Sequence, residues 1–435
     1  MLQRLENFFE FKRLNANWRT EILAGLTTFL TMAYIVLVNP AILTVTGMPL
    51  GAVTAATCLS AGFASILMGV VARYPIALAP GMGLNAYFAY AVCLRMHVPW
   101  PTALGAVFLS GVLFLALTAT GIRQMILRAI PRELYASVAG GIGLFIALIG
   151  FRNAGLVVGD AATLVGLGNL RNPTTFLALI GLAVMVTLEI RKIRGSILIG
   201  ILTVTALALP FGLIHPVHNG GGLAALTETA FKLDIRGALN KGLVEIIFVF
   251  FFVDLFDNLG TLMAVTKRAG LIDENDTIPR LNRILFADAT ATVFGSLTGT
   301  STVTSYVEST AGVAAGGRTG VTAITTGVLF LGAIAAAPFA AMIPAAATAP
   351  ALMLVGSMMM GGLAEIRWRE PLVAVPAFLT LVLIPFTCSI ANGLGFGLIA
   401  WAVLHAASGK LRRADWFLTL LAVLFLVRFL YLGAS

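Results

Sequence analysis

Long apolar runs alternate with short, polar, mostly basic breaks along nearly the whole chain. Runs of spanning or near-spanning length fall at 21–45, 51–71, 80–93, 101–121, 134–151, 174–190 and 195–213, against the roughly 20 residues a helix needs to cross a bilayer. A polar stretch holding HPVHNGGG and LDIRGALNKG follows. A second set runs at 240–265, 282–298, 303–316, 319–341, 345–362, 371–388 and 390–407. The pattern predicts seven helices and then seven more. One further run, 416–432, contains Arg428 and fits either a fifteenth span or a helix lying along the interface.

An odd-numbered unit repeated in tandem places its second copy upside down in the membrane, and such inverted repeats are a transporter architecture with the binding site where the repeats meet. The halves also echo each other locally. In each, the third segment is short and is entered through Gly, Pro or small hydroxyl residues: APGMGLNAYFAY in the first half, GSLTGTSTVTSYVEST in the second. Non-helical backbone at this depth must have its N–H and C=O groups satisfied by protein. Antiparallel pairing of two extended stretches, 76–82 and 297–303, meets part of that demand. Two half-helices then begin near the midplane, with free N–H groups and positive dipole ends aimed at the centre.

Composition agrees with the pattern. Hydrophobic residues make up 59% of the 435 and charged residues 11%, whereas soluble chains carry about 25% charged residues. The expectation is an all-α polytopic membrane protein. Its net charge of +9 does not indicate nucleic acid, because Lys and Arg are distributed by side. With the N-terminus inside, 21 fall on cytoplasmic loops and 6 on outer ones, leaving Arg428. The opening MLQRLENFFEFKRLNANWRTE is basic and amphipathic, with no cleavable leader pattern, so the first helix is expected to stay as a span. Cys58, Cys93 and Cys388 show no disulfide or metal spacing.

Ionisable groups within such runs are costly and mark function by default. Glu308, in TSYVESTAG, reads as one turn into the second short helix, as a ligand-binding carboxylate or as a cap for its own helix. Asp257, in DLFDNLG, faces the same centre if the eighth helix packs on the half-helices. Asp254, three residues earlier, shares its broad face; two close carboxylates resist joint ionisation and suit proton exchange, while pairing with an arginine is the alternative. Asp288, in ADATATVFGS, reads more as a packing or hydrogen-bonding group beside the broken helix. Asn85, Tyr87 and Phe88 fit amide recognition and stacking of a flat ligand, or plain core. Glu21 and Glu245 lie near helix starts, where carboxylates complement the dipole. His215 and His218 have no second ligand set, and no metal site is expected.

Several blocks resemble a family. NWRTEILAGLTTFLTMAYIVLVNPAIL, APGMGLNAYFAY, FVDLFDNLGTL, ADATATVFGSLTGTSTVTSYVESTAGVAAGGRTG and IANGLGFGLIAW are similar to the AzgA-like purine permeases of the nucleobase:cation symporter-2 family. The resemblance implies the uracil-permease fold, with fourteen helices in two inverted seven-helix repeats and short strands before half-helices 3 and 10. It implies a core domain (1–121 and 215–341) and a gate domain (122–214 and 342–435), and it does not decide the 416–432 run. It further implies a homodimer in the bacterial cytoplasmic membrane and proton-coupled uptake of hypoxanthine, guanine or adenine by an elevator-like motion, with no other cofactor. By position, Asp257 and Glu308 match the acids that bind the base, and Asp288 the supporting acid of helix 9. Ser309 stands where the uracil and xanthine branch carries Asn, which fits the AzgA-like purine branch and disfavours uracil or xanthine.

Three other readings compete with this one. An anion transporter of the same fold favours positive charge over two carboxylates in its site. A membrane-embedded hydrolase lacks a nucleophile or HExxH motif here. A channel fits poorly with two interrupted helices.

Overall fold

The structure, a computed structural model, describes residues 2–120, 131–214, 222–240, 244–272, 278–340, 342–412 and 415–431; the side chain of Asp257 and both His215 and His218 lie outside the described residues. The main helices are α1 (Trp18–Met32), α2 (Ile35–Leu43), α3 (Leu50–Leu67), α4 (Met82–Ala86, continued as a π-helix over Tyr87–Arg95), α5 (Trp100–Thr120), α6 (Arg132–Asn153), α7 (Pro173–Ile190) and α8 (Ser196–Ala208). The second half supplies α9 (Val244–Ala269), α10 (Leu281–Thr298), α11 (Ser309–Ala314), α12 (Gly320–Ala333), α13 (Ala345–Met359), α14 (Pro371–Thr387), α15 (Ile390–Ala407) and α16 (Trp416–Tyr431). Among the described residues, eight helices are long and apolar enough to cross a membrane.

The packing repeats as the helices do. In one group α3 packs on α12 as α10 packs on α5, and α1 lies on α12 as α9 lies on α5. In another, α6 packs on α13, α14 on α6, α7 on α13, and the pairs α7–α8 and α14–α15 match. This symmetry is that of a seven-plus-seven inverted repeat of membrane helices. Small residues make the closest seams, as they do where lipid supplies no hydrophobic drive. A Cβ on Gly320 would meet the Gly69 carbonyl oxygen at 2.0 Å, and one on Gly356 the Gly143 oxygen at 2.4 Å.

Two strands cross between the halves. β1 (Leu78–Pro80) pairs antiparallel with β4 (Val303–Ser305), Ala79 opposite Thr304. Flanking bonds extend the pairing, Gly81 N–H to the Thr302 oxygen at 2.9 Å and Tyr306 N–H to the Ala77 oxygen at 3.0 Å. The second stretch therefore lies later than the expected 297–303. Helix α10 persists through Thr298 and stops at Gly299, whose φ of +97° suits glycine; only beyond that stop does the chain extend.

Three other features depart from the sequence pattern. The expected span 21–45 is broken at Ala33–Tyr34, where Val36 and Leu37 turn their N–H groups to the i−3 carbonyls; Pro40 crowds the carbonyl of Val36 within the same segment. The loop after α6 forms an exposed hairpin, β2 (Val157–Asp160) with β3 (Leu164–Leu167). There the Thr163 N–H and hydroxyl and the Ala162 N–H hold the Asp160 carboxyl below its ordinary pKa. Finally, α16 runs antiparallel along α15, with Phe425 against Gly395 and Phe429 stacked on Phe396 at 4.9 Å, so the run after 416 packs beside a spanning helix.

Candidate functional site at the strand crossing

Backbone geometry builds the site. After β4 the chain turns through Tyr306 and Val307, and Glu308 becomes the N-cap of α11. It is thus a cap residue and not one turn into the helix, because the strand continues through Ser305 and delays the helix start. The N–H groups of Ser309, Thr310 and Ala311 are taken by the Tyr306, Val307 and Glu308 carbonyls at 3.1, 2.9 and 2.9 Å. These three N–H groups are therefore not free, against the expectation for the start of this half-helix.

Just beyond a stretch buried from Ser301 through Tyr306, Val307 is 48% exposed and Glu308 half-buried. The break in the first span supplies its partner: Tyr34, fully buried, donates its hydroxyl to Glu308 Oε1 at 2.6 Å. Ser309 accepts the Ala77 N–H at 3.0 Å, which ties the start of α11 to the entry of β1. Ser65 does the same for Leu78, accepting its N–H at 3.0 Å and donating to its carbonyl at 3.1 Å. Thr292 donates to the Val303 oxygen at 3.0 Å, and Tyr306 reaches the Pro80 oxygen at 2.5 Å.

Asn85 lies in a buried amide network. It donates to Asn39 Oδ1 and accepts from Ser301, while Asn39 donates to Thr57 at 2.7 Å and Thr300 at 3.0 Å. This network joins α2, α3, α4 and the stretch before β4. Tyr87 and Phe88 are buried against Phe250 of α9, with ring centroids 5.2 and 6.4 Å apart. Asp254 is fully buried on α9, which packs against both β4 and α11. Asp288 is fully buried on α10, one turn before the Thr292 that braces β4.

The structure brings Glu308, Ser309 and the Asn85 network to one crossing, sets Asp254 on the helix beside it and Asp288 behind it. Sequence reasoning missed Tyr34, Asn39 and Asn258; Pro40 in the first span was the available signal for Tyr34. Among the described residues, Asn258, Thr302, Thr304 and Ser305 keep buried polar side-chain atoms without a hydrogen-bond partner. Buried polar groups are nearly always paired, and those of Thr302, Thr304 and Ser305 lie in the strand segment that leads into Glu308. Glu21 also acts at a helix start, but that of α12, accepting from Arg318 N, Thr319 N and the Thr322 hydroxyl at 2.9, 3.2 and 2.6 Å. Glu245 stands in the first turn of α9, as expected, and pairs there with Arg428, at 2.5 Å.

Inverted halves meeting at paired strands and short helices define a membrane transporter. Residues 19–396 match the family described as the Permease family, and the chain belongs to it, within the nucleobase:cation symporter-2 proteins. A putative permease of Methanocaldococcus jannaschii is 48% identical over 100% of both chains. The adenine permease AdeP of Escherichia coli K12 is 41% identical, over 99% of this chain and 97% of that one. The guanine/hypoxanthine permease PbuG of Bacillus subtilis 168 is 42% identical, over 98% and 100%. Among solved structures, the transmembrane domain of the cyanobacterial bicarbonate transporter BicA superposes with a TM-score of 0.62 at 17% identity, over 90% of this chain and 97% of that one.

Proposed function

We propose that this permease carries purine nucleobases, taken up with protons across a bacterial cytoplasmic membrane, with its N-terminus inside, and performs no enzymatic reaction. The supporting observation is Glu308: a half-buried carboxyl at the strand crossing, oriented by Tyr34 and bordered by unpaired polar side chains. A purine presents an edge of alternating donors and acceptors. A carboxyl accepts from its N–H groups, and hydroxyl and amide side chains of the Thr302–Ser305 segment and Asn258 complete the edge. Relatives named as adenine and guanine/hypoxanthine permeases support the substrate class.

Proton coupling follows if Asp257 and Glu308 change protonation with occupancy, because a proton on either acid changes the donors offered to the base. Asp254 and Asp288 then serve the proton, and no metal is required. The two helix groups are the bodies that slide past each other in an elevator-like cycle, core 1–121 with 215–341 against gate 122–214 with 342–435, in a homodimer. Uptake of radiolabelled hypoxanthine and adenine, each competed by the other bases, tests this in cells lacking their own purine uptake. Accumulation should collapse with a protonophore and in Asp257→Asn; accumulation equal to that of empty cells overturns the substrate assignment.

A further inference from the structure

Arg428 is the one arginine or lysine that is buried among the described residues, at 8% exposure, and it sits on α16. Nη2 contacts Glu245 Oε1 at 2.5 Å, and Nη1 donates to Asn392 Oδ1 at 3.2 Å. Its guanidinium also lies over the Phe429 ring, 5.0 Å from the centroid. Glu245 is in the first turn of α9, Asn392 in the first turn of α15, and Arg428 in the last turn of α16. All three therefore meet at one end of the antiparallel set. Phe425, one turn from Arg428, faces Phe248, one turn from Glu245, at 6.0 Å, so the contact is a packed seam around an ion pair.

The pair joins helices of different groups. α9 packs chiefly on α5 and α11, and α16 on α15. α9 is also the helix that carries Asp254 and touches β4, α11 and the half-helix α4. A straight helix rises 1.5 Å per residue, so holding its first turn fixes the axial position of every group along it. Glu245 keeps 20% of its side chain exposed, and parting the pair leaves the Arg428 charge uncompensated, so a state that keeps the pair is favoured over one that parts it.

We infer that Arg428 is a positioning residue for transport: through Glu245 and Asn392 it sets the axial register of the acid-bearing helix α9 against α15 and α16. Resting on the transporter reading above, the inference makes this contact one that is formed in one end state of the cycle and parted in the other. Arg428 touches no substrate; it acts through α9.

The test uses the full chain with Cys58, Cys93 and Cys388 replaced and a reporter Val307→Cys beside the site. Labelling by a membrane-impermeant thiol reagent is followed in oriented vesicles without substrate. Arg428→Met and Glu245→Gln should each change the labelling rate by about fivefold or more in the same direction. Arg428→Lys, which keeps the charge, and the exchange Glu245→Arg with Arg428→Glu should return it toward the parent value. Equal rates in parent and both neutralised variants, at equal amounts of monodisperse protein, overturn the inference, as does a neutralised variant that Arg428→Lys matches. If a neutralised variant is not recovered folded, Arg428→Lys and the exchange decide: parent-like rates uphold the pairing, and loss of it in the exchange contradicts it. Because no purine is present, a response here stands even if purine uptake fails, and purine uptake with no response leaves the substrate reading intact.

Discussion

At Glu308 the chain sets a carboxyl at the cap of a six-residue helix and gives one of its oxygens the Tyr34 hydroxyl. Hydrogen bonds to charged groups contribute about 1.5–3 kcal/mol. Tyr34→Phe should therefore weaken base affinity by about tenfold or more while leaving the folded yield near parent, read as a raised KM for uptake; an unchanged KM would show that Tyr34 does not orient the site. Glu308 and Asp254 stood out as candidates in the sequence because a charge is conspicuous in an apolar run. Tyr34, Asn39 and Asn258 were not, since a tyrosine or amide in such a run has no distinct pattern until the fold shows what it touches. The orphaned atoms of Thr302, Thr304 and Ser305 are likewise a property of packing, invisible in a Thr- and Ser-rich string.

Among the elements, the short third segment of each half was readable because Gly and Pro interrupt it, and the strands were expected from the need to satisfy backbone groups in lipid. Their register was not, because it depends on where α10 ends, and Gly299 sets that through its left-handed φ. The helix seams rest on glycine contacts. A Cβ at Gly356 meets backbone at 2.4 Å, whereas Gly361 has open space around it. Overpacking of this kind costs about 1–3 kcal/mol or more, so Gly356→Val should sharply reduce monodisperse protein on size-exclusion chromatography. Gly361→Ala should match the parent; equal profiles for both variants would remove the α6–α13 seam from the account.

For the whole molecule, the seven-plus-seven count and the charge asymmetry carried the inverted architecture, which the paired helix contacts repeat. The sequence left the 416–432 run undecided because an arginine near its end fits an interfacial helix as well as a span. Its partner Glu245 lies nearly two hundred residues away, beyond any local pattern. Orientation makes a separate prediction. With the N-terminus inside, the β2–β3 hairpin is external, and Gly159→Cys in a cysteine-free background should be labelled by an impermeant reagent on intact cells. Labelling confined to lysed cells would invert the assignment. The central claim is that Glu308 at the strand crossing holds the transported base, and equilibrium binding of radiolabelled adenine and hypoxanthine to the purified protein tests it most directly. At least one base should bind saturably to the parent and about tenfold or more weakly to Glu308→Gln at equal folded protein; equal affinity in the two proteins would contradict it.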